Sequence, residues 1–386
     1  MRNIMHTRLT ANMLLIILVL IVGCNNEATT EQSPQPDNVA KVFNNIDDSA
    51  VTTWFSLGDK FASGEEASLE DFASLLELPA YKHYSNSNKG SINNHVISNI
   101  TKYIFQPDEV KDSRGRKHSP KRTDLIENFK YIKSHREQIT NLPEQWSDKE
   151  YSKQIHDLLK KYLPANLVPN QIELHLMVCE LNISYGGGSI VSIDAGLALA
   201  TPEDKIVNMA AAHCYRVLRP LEFKPYEATT GKSALRQTFS QIRIEAIVSV
   251  IEDYPNIYFD YEHPLLSKED KTRNNYFTTA QFNISRINGM LKQLFISRDS
   301  IDEKGATIDD LLRYSRSYQG TGYAMAMLII DQLGQDRLIS SAASNTLFFQ
   351  AYQEAALTGK ATGDLAKLHP FDEEVLADLL TIFPTK

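Results

Sequence analysis

The 386 residues hold only three cysteines, and two of them, Cys179 and Cys214, are all that remain beyond position 24. So few thiols exclude a disulfide-dense scaffold. The later two can form one bridge or stand as buried free thiols. Nothing in their spacing demands a bridge, and buried thiols are the preferred reading. Positive charge is also in the minority, with 40 Lys and Arg against 48 Asp and Glu and a net charge of −8. A general nucleic-acid binder is excluded, because no basic surplus offsets phosphate repulsion. One basic run, KDSRGRKHSPKR from Lys111 to Arg122, is interrupted by glycine, serine and proline and reads as a solvated loop. No run of 18 apolar residues occurs, so no membrane-spanning helix is expected. There is no fixed-period repeat. The glycines Gly186, Gly187 and Gly188 lack the lysine and the following helix of a phosphate loop.

Hydrophobic residues make up 42% of the chain and charged residues 23%, enough to build a core in one large domain or two smaller ones. At the N-terminus, Arg2 and Arg8 precede MLLIILVLIV, Met13 to Val22, an apolar stretch too short to span a bilayer and suited to the core of a signal peptide. IVGC, Ile21 to Cys24, follows and resembles a bacterial lipoprotein cleavage site. The resemblance implies a signal peptide over 1–23 and a lipid on Cys24, so that the membrane is a partner through that lipid. Asn25 follows in place of the aspartate that favours inner-membrane retention, which points toward the outer membrane of a two-membrane envelope. Residues 24–38 are polar, carry two prolines and read as a tether reaching roughly 20 Å. The folded part is expected over 39–386.

Most of that part has helical periodicity. Helices are expected over Asn38–Lys60, Ser68–Leu78, Asn93–Phe105, Lys121–Gln138 and Asp148–Tyr162, with Ser68 and Asp71 forming a capping box. In the middle, QIELHLMVCELNI and IVSIDAGLAL flank the glycine turn and predict a β-hairpin. The expected layout is a helical part over 39–165, a strand pair with two further helices over 166–260, and a helical part over 261–386.

The first of those two helices is signposted by Thr201 as a cap, Pro202 at its first position and Asp204 in its first turn, and it should stop at Pro220. Ile206, Met209, Ala210, His213 and Val217 share one stripe by three-and-four spacing, which turns His213 inward. A zinc helix needs a second ligand one turn away. Met209 and Val217 occupy those positions and neither binds zinc. Cys214 stands where a general base would follow the first ligand, and a thiol cannot do that carboxylate's work. The second helix, Ser233 to Tyr254, is apolar on nearly every side around Glu245. Such a helix is buried, so the glutamate must find a partner, for which His213, Arg216, Arg243 or a metal are the candidates, or become neutral. Arg216 lies three residues beyond His213, and its planar guanidinium suits a carboxylate.

The succession of IVSIDAGLAL, IVNMAAAHCYRVLR and IEAIVSVIEDY, with LLELPAYKHY before it and GYAMAMLIIDQLGQDRLI and FFQAYQEAA after it, resembles a family of bacterial zinc-dependent peptidases of gluzincin type. The resemblance spans nearly all of the chain beyond the tether. It implies a zincin-like, mainly α, α+β fold with a short hairpin before the active-site-type helix. In such a family the first helix bears HExxH and the second EGxAD. Here His213 keeps the first ligand position, while Cys214 and Val217 replace the glutamate and the second histidine. Read one residue earlier, Ala212 and Arg216 stand for the histidines. Glu245 keeps the third ligand position, and Ala246 and Ser249 replace the glycine and aspartate. His263 could add a ligand, though nothing in its spacing argues for it.

A catalytic zinc needs three protein ligands and an open position. His213 and Glu245 are therefore read as vestigial metal ligands, with no catalytic residue and no cofactor expected. The expected protein is an inactive, lipid-anchored member of that family in the cell envelope, binding a peptide or protein ligand. An active zinc peptidase with atypical ligands and an unrelated helical lipoprotein are the alternatives.

Overall fold

The computed structural model describes residues 46–87, 92–108, 120, 122–186, 188–219, 231–253, 280–296 and 317–383. All of them fall in one unit, Val42–Lys386. Cys24, the tether, His263 and most of the basic run lie outside the described residues.

The described N-terminal part is helical. α1, Ser49–Ala62, buries Val51, Trp54, Phe55, Gly58 and Phe61 at three-and-four spacing. The Trp54 indole donates to Thr101 Oγ1 at 2.8 Å and meets the rings of Phe105 and Phe129 edge-on, each at 5.4 Å. α2, Leu69–Leu76, starts with the expected capping box between Ser68 and Asp71. α3, Pro79–Ser87, was not expected as a separate element. α4, Asn94–Phe105, is capped by Asn93. The single helix expected over Lys121–Gln138 is two, α5, Thr123–Ser134, and α6, Arg136–Trp146, because His135 leaves helical geometry between them. α7, Tyr151–Tyr162, ends this part.

The expected antiparallel hairpin is present across the glycine turn, with its first strand shifted toward the turn and a third strand added to make a three-stranded sheet. Of QIELHLMVCELNI only β1, Glu173–Met177, is strand, while β2, Ile183–Gly186, takes in its last residue and the first part of the stretch expected as the turn. β3, Ile190–Asp194, lies between them, parallel to β1 and antiparallel to β2. The break falls at Val178 and Cys179, whose backbone is held by side chains from elsewhere. The Tyr81 hydroxyl donates to the Val178 carbonyl at 2.9 Å and accepts from its N–H at 3.0 Å, and Cys179 N–H donates to Asp194 Oδ2 at 2.8 Å. Asp47 adds a parallel bridge at the outer edge of β1.

Only the first half of IVSIDAGLAL is strand. The rest is α8, Ala195–Ala200, capped by Asp194, which accepts from Leu197 N–H at 3.0 Å. Asn128 of α5 donates to both Asp194 oxygens at 3.0 Å. The carboxyl is fully buried, and burial pushes it up to about 6 despite these donors.

α9, Glu203–Leu218, packs on α7, β2 and the long helix α10, Gly231–Ile251. Beyond them come α11, Ala280–Ile296, α12, Ser317–Leu333, α13, Gln335–Ser341, α14, Asn345–Leu357, and α15, Glu373–Ile382. α10 and α12 make the most extensive helix contact among the described elements. Gly322 permits it: a β-carbon there would press on the Ile242 carbonyl and stand 2.7 Å from the Ala246 nitrogen. The described residues are thus α+β and mainly α. Cys179 and Cys214 are free and buried.

Candidate functional site

The residues singled out in the sequence lie on α9 and α10. α9 begins one residue later than its expected cap. Pro202 is the N-cap, with no side-chain cap bond, and the Thr201 hydroxyl is buried without a partner. Glu203 and Asp204 in the first turn favour the positive end of the helix dipole. The helix ends at Leu218, next to Arg219, close to where Pro220 requires.

The inward stripe holds for Ile206, Met209 and Ala210, which are buried, and fails at the last turn. Val217 is 50% exposed and His213 is only partly buried. The buried face at this end of α9 is formed instead by Ala211, Cys214 and Tyr215. The correction has a packing reason. Tyr215 and Cys214 supply the bulk that α7, α10 and β2 cover, which leaves the His213–Val217 edge at the rim.

Glu245 is buried in the middle of α10, as the apolar surroundings require. Its partner is Arg216. Nε donates to Oε1 at 3.0 Å and Nη2 to Oε2 at 2.9 Å, a bidentate fork across the helix crossing. Gln241, one turn earlier on α10, donates to Oε1 at 2.8 Å. Burial works against the Arg216 charge, but the charge and hydrogen bonds of Glu245 more than offset it and raise its pKa. Of the other candidate partners, Arg243 is fully buried and turned to the C-terminal helices, donating to Asn345 Oδ1 at 2.8 Å and to the Ala342 carbonyl at 2.5 Å. Among the described residues His213 makes no hydrogen bond to Glu245. Burial and the nearby Arg216 charge push its imidazole down to about 4, so it is neutral near pH 7.

These residues do not fit a zinc ion. Both Glu245 oxygens are engaged by a guanidinium, which puts a fixed positive charge where the metal's would lie. One turn on from His213 is an exposed valine, and one turn on from Glu245 is Ser249, whose buried hydroxyl has no partner. Neither side chain is a zinc donor of the usual kind. Among the described residues no group of three or more His, Cys, Asp or Glu side chains is placed to hold a metal. The arrangement can hold two helices together and present a polar rim.

Fold and site define a mainly helical α+β protein whose central helix crossing carries a buried ion pair. The chain matches the family described as "Putative zinc dependent peptidase (DUF5700)" over residues 72–361, well over half of its length, and belongs to that family. No curated protein and no solved structure matches it.

Two of these placements were open to sequence reasoning: a buried Glu245 and Arg216 as its partner. The engagement of Gln241 was missed, although its position four residues before Glu245 is a signal available in the sequence.

Proposed function

We propose that this chain is a zinc-independent member of its peptidase family: a lipid-anchored binding module of the cell envelope on a zincin-like fold, without peptidase activity. One observation carries the reading. The third-ligand carboxylate, Glu245, is taken by Arg216 in a bidentate pair, so the site has its cation built into the chain. The substitutions at Cys214 and Val217 support it, because they remove the base and the second ligand together. Anchoring rests on the IVGC box and Cys24.

The test is elemental analysis of the purified full-length protein after dialysis without chelator. Far less than one zinc per chain is expected. One zinc per chain, lost when His213 and Glu245 are both replaced, would establish the alternative of an active zinc peptidase with atypical ligands. For the anchor, Cys24→Ala should move the protein out of the membrane fraction; unchanged sedimentation would remove that part of the reading.

A further inference from the structure

Four cation–aromatic contacts gather where α1, α4 and α5 meet. The Lys102 amine stands 5.7 Å from the ring centre of Phe61, that of Lys130 5.6 Å from Tyr103 and that of Lys133 4.5 Å from Phe105. The Arg136 guanidinium stands 4.6 Å from the ring centre of Phe55. The rings belong to α1 and α4, and the cations to α4, α5 and the start of α6. Phe55 and Phe61 are buried, and Tyr103 and Phe105 are partly buried against the core. Each ring holds a cation at the surface, with its charge in water and its stem on apolar carbon. Lys130, Lys133 and Arg136 are exposed and Lys102 partly so.

Only part of this positive charge is answered within the chain. Arg136 donates to both Asp59 oxygens, at 2.7 and 2.8 Å, and Lys60 pairs with Asp71 at 3.7 Å. Among the described residues Lys102, Lys130 and Lys133 pair with no carboxylate, although Glu127 and Glu137 lie within one turn of the last two in sequence. Lys133 gives one N–H to the Ile104 carbonyl at 3.0 Å and keeps two. Lys130 and Lys133 are three residues apart on α5 and share a side of it. The place of this face in the chain points to its partner. Asp47 is bound to β1 and α1 begins two residues later, at Ser49. Phe55 and Phe61 therefore lie about 9 and about 18 Å along α1 from its first residue. A lipid on Cys24 is joined to the folded part through the residues before Asp47, so an anchored chain carries this face within a tether's length of the bilayer. An anionic bilayer presents its phosphates as a sheet, which amines spread over exposed helix surface can meet together. A single-stranded nucleic acid would need bare rings to stack on, and these rings are already covered.

We infer that the face bearing Lys102, Lys130 and Lys133 docks on the anionic headgroup surface of the membrane that holds the lipid anchor, so that the domain rests on the bilayer. The inference rests on the anchored reading above. Flotation with neutral vesicles tests the anchor, and dependence on anionic lipid tests the face, so the two failures are distinguishable.

The test reconstitutes full-length protein with vesicles of phosphatidylcholine and with vesicles of phosphatidylcholine and phosphatidylglycerol. Mass spectrometry then reads how fast a water-soluble acetylating reagent modifies each lysine. Lys360, exposed beyond α14, is the internal reference. In the anionic vesicles Lys102, Lys130 and Lys133 should react about fivefold more slowly than in the neutral ones, the factor that corresponds to one basic residue at such a surface. The rate at Lys360 should not change. Salt at about 1 M should restore the fast rates, because the screening length falls to about 3 Å. Lys130→Gln together with Lys133→Gln should remove the protection of Lys102. Lys130→Arg together with Lys133→Arg keeps both charges, should retain that protection, and guards against a folding defect in the glutamine pair. Equal rates in the two kinds of vesicle, or equal slowing of Lys360, would overturn the inference. So would protection that survives high salt or the glutamine pair, protection lost in the arginine pair, or protection by an RNA oligonucleotide and not by anionic vesicles.

Discussion

Replacing Arg216 by methionine should cost more stability than replacing Glu245 by glutamine, although the two residues share one interaction. Two unit charges about 4 Å apart attract by about 4 kcal/mol at an effective dielectric near 20. Their exposures differ, however: the Arg216 side chain is 32% exposed and that of Glu245 11%. Removing Glu245 leaves a cation that can turn to water, so Glu245→Gln should cost about 1 kcal/mol, with Gln241 and part of the hydrogen bonding retained. Removing Arg216 strands a buried carboxylate with Gln241 as its remaining partner. That places Arg216→Met near the lower end of the range for a broken buried pair, about 3 kcal/mol. Replacing both by methionine should cost less than Arg216→Met alone, since apolar side chains of similar volume leave no orphan charge. The coupling energy from a cycle of Arg216→Met, Glu245→Met and the double methionine variant should be about 2 kcal/mol. Urea unfolding read by tryptophan fluorescence suits the measurement, because Trp54 and Trp146 are both buried. An Arg216→Met cost below 1 kcal/mol, or a larger cost for Glu245→Gln, would refute the argument that the carboxylate is the trapped partner.

Asp194 gives a pH prediction of definite sign. Its carboxyl is raised from 3.8 to about 6 in the fold, so between those values the folded state keeps a proton that the unfolded chain has released. Stability from this group therefore falls as pH rises through that window, by about 3 kcal/mol. Asp194→Asn keeps only one acceptor oxygen for the N–H groups of Cys179 and Leu197, points an amide NH2 at the other, and is less stable throughout. The gap between wild type and variant should narrow from pH 4 to pH 7, and a gap that widens in denaturant titrations would contradict this. Gly322→Ala should lower the thermal midpoint and cost about 1–2 kcal/mol, because the new methyl meets α10 backbone at Ile242 and Ala246 rather than a side chain that can move. An unchanged or raised midpoint would show that α12 can shift away.

The long elements were legible in the sequence where the information was local. The all-round apolar pattern of α10 placed Glu245 inside, and the three-residue step from His213 put Arg216 on the side that meets it. The sequence misled where a distant partner decides. The run around Met177 and Cys179 is continuously apolar and reads as one strand, yet Tyr81, some hundred residues away, and Asp194 take its backbone hydrogen bonds and break it. The parallel pairing of β1 with β3 is non-local in the same way. Thr201 has the chemistry of a cap, but the chain before Pro202 carries its hydroxyl into the interior. His213 satisfied the periodicity of an inward stripe. Whether a stripe stays inside to the end of a helix depends on what covers the last turn, and at this end the cover follows Tyr215 and Cys214.

The Arg216–Glu245 fork has a consequence for supply. A metal ion fills its site by mass action, so the stability it lends rises and falls with its free concentration and disappears in a chelator. A guanidinium attached to the next helix has no concentration to fall. Chelators and competing metal-binding proteins cannot strip it, and no delivery step is needed before the helix crossing is complete. This crossing is finished as soon as the chain folds, and it stays so wherever zinc is scarce.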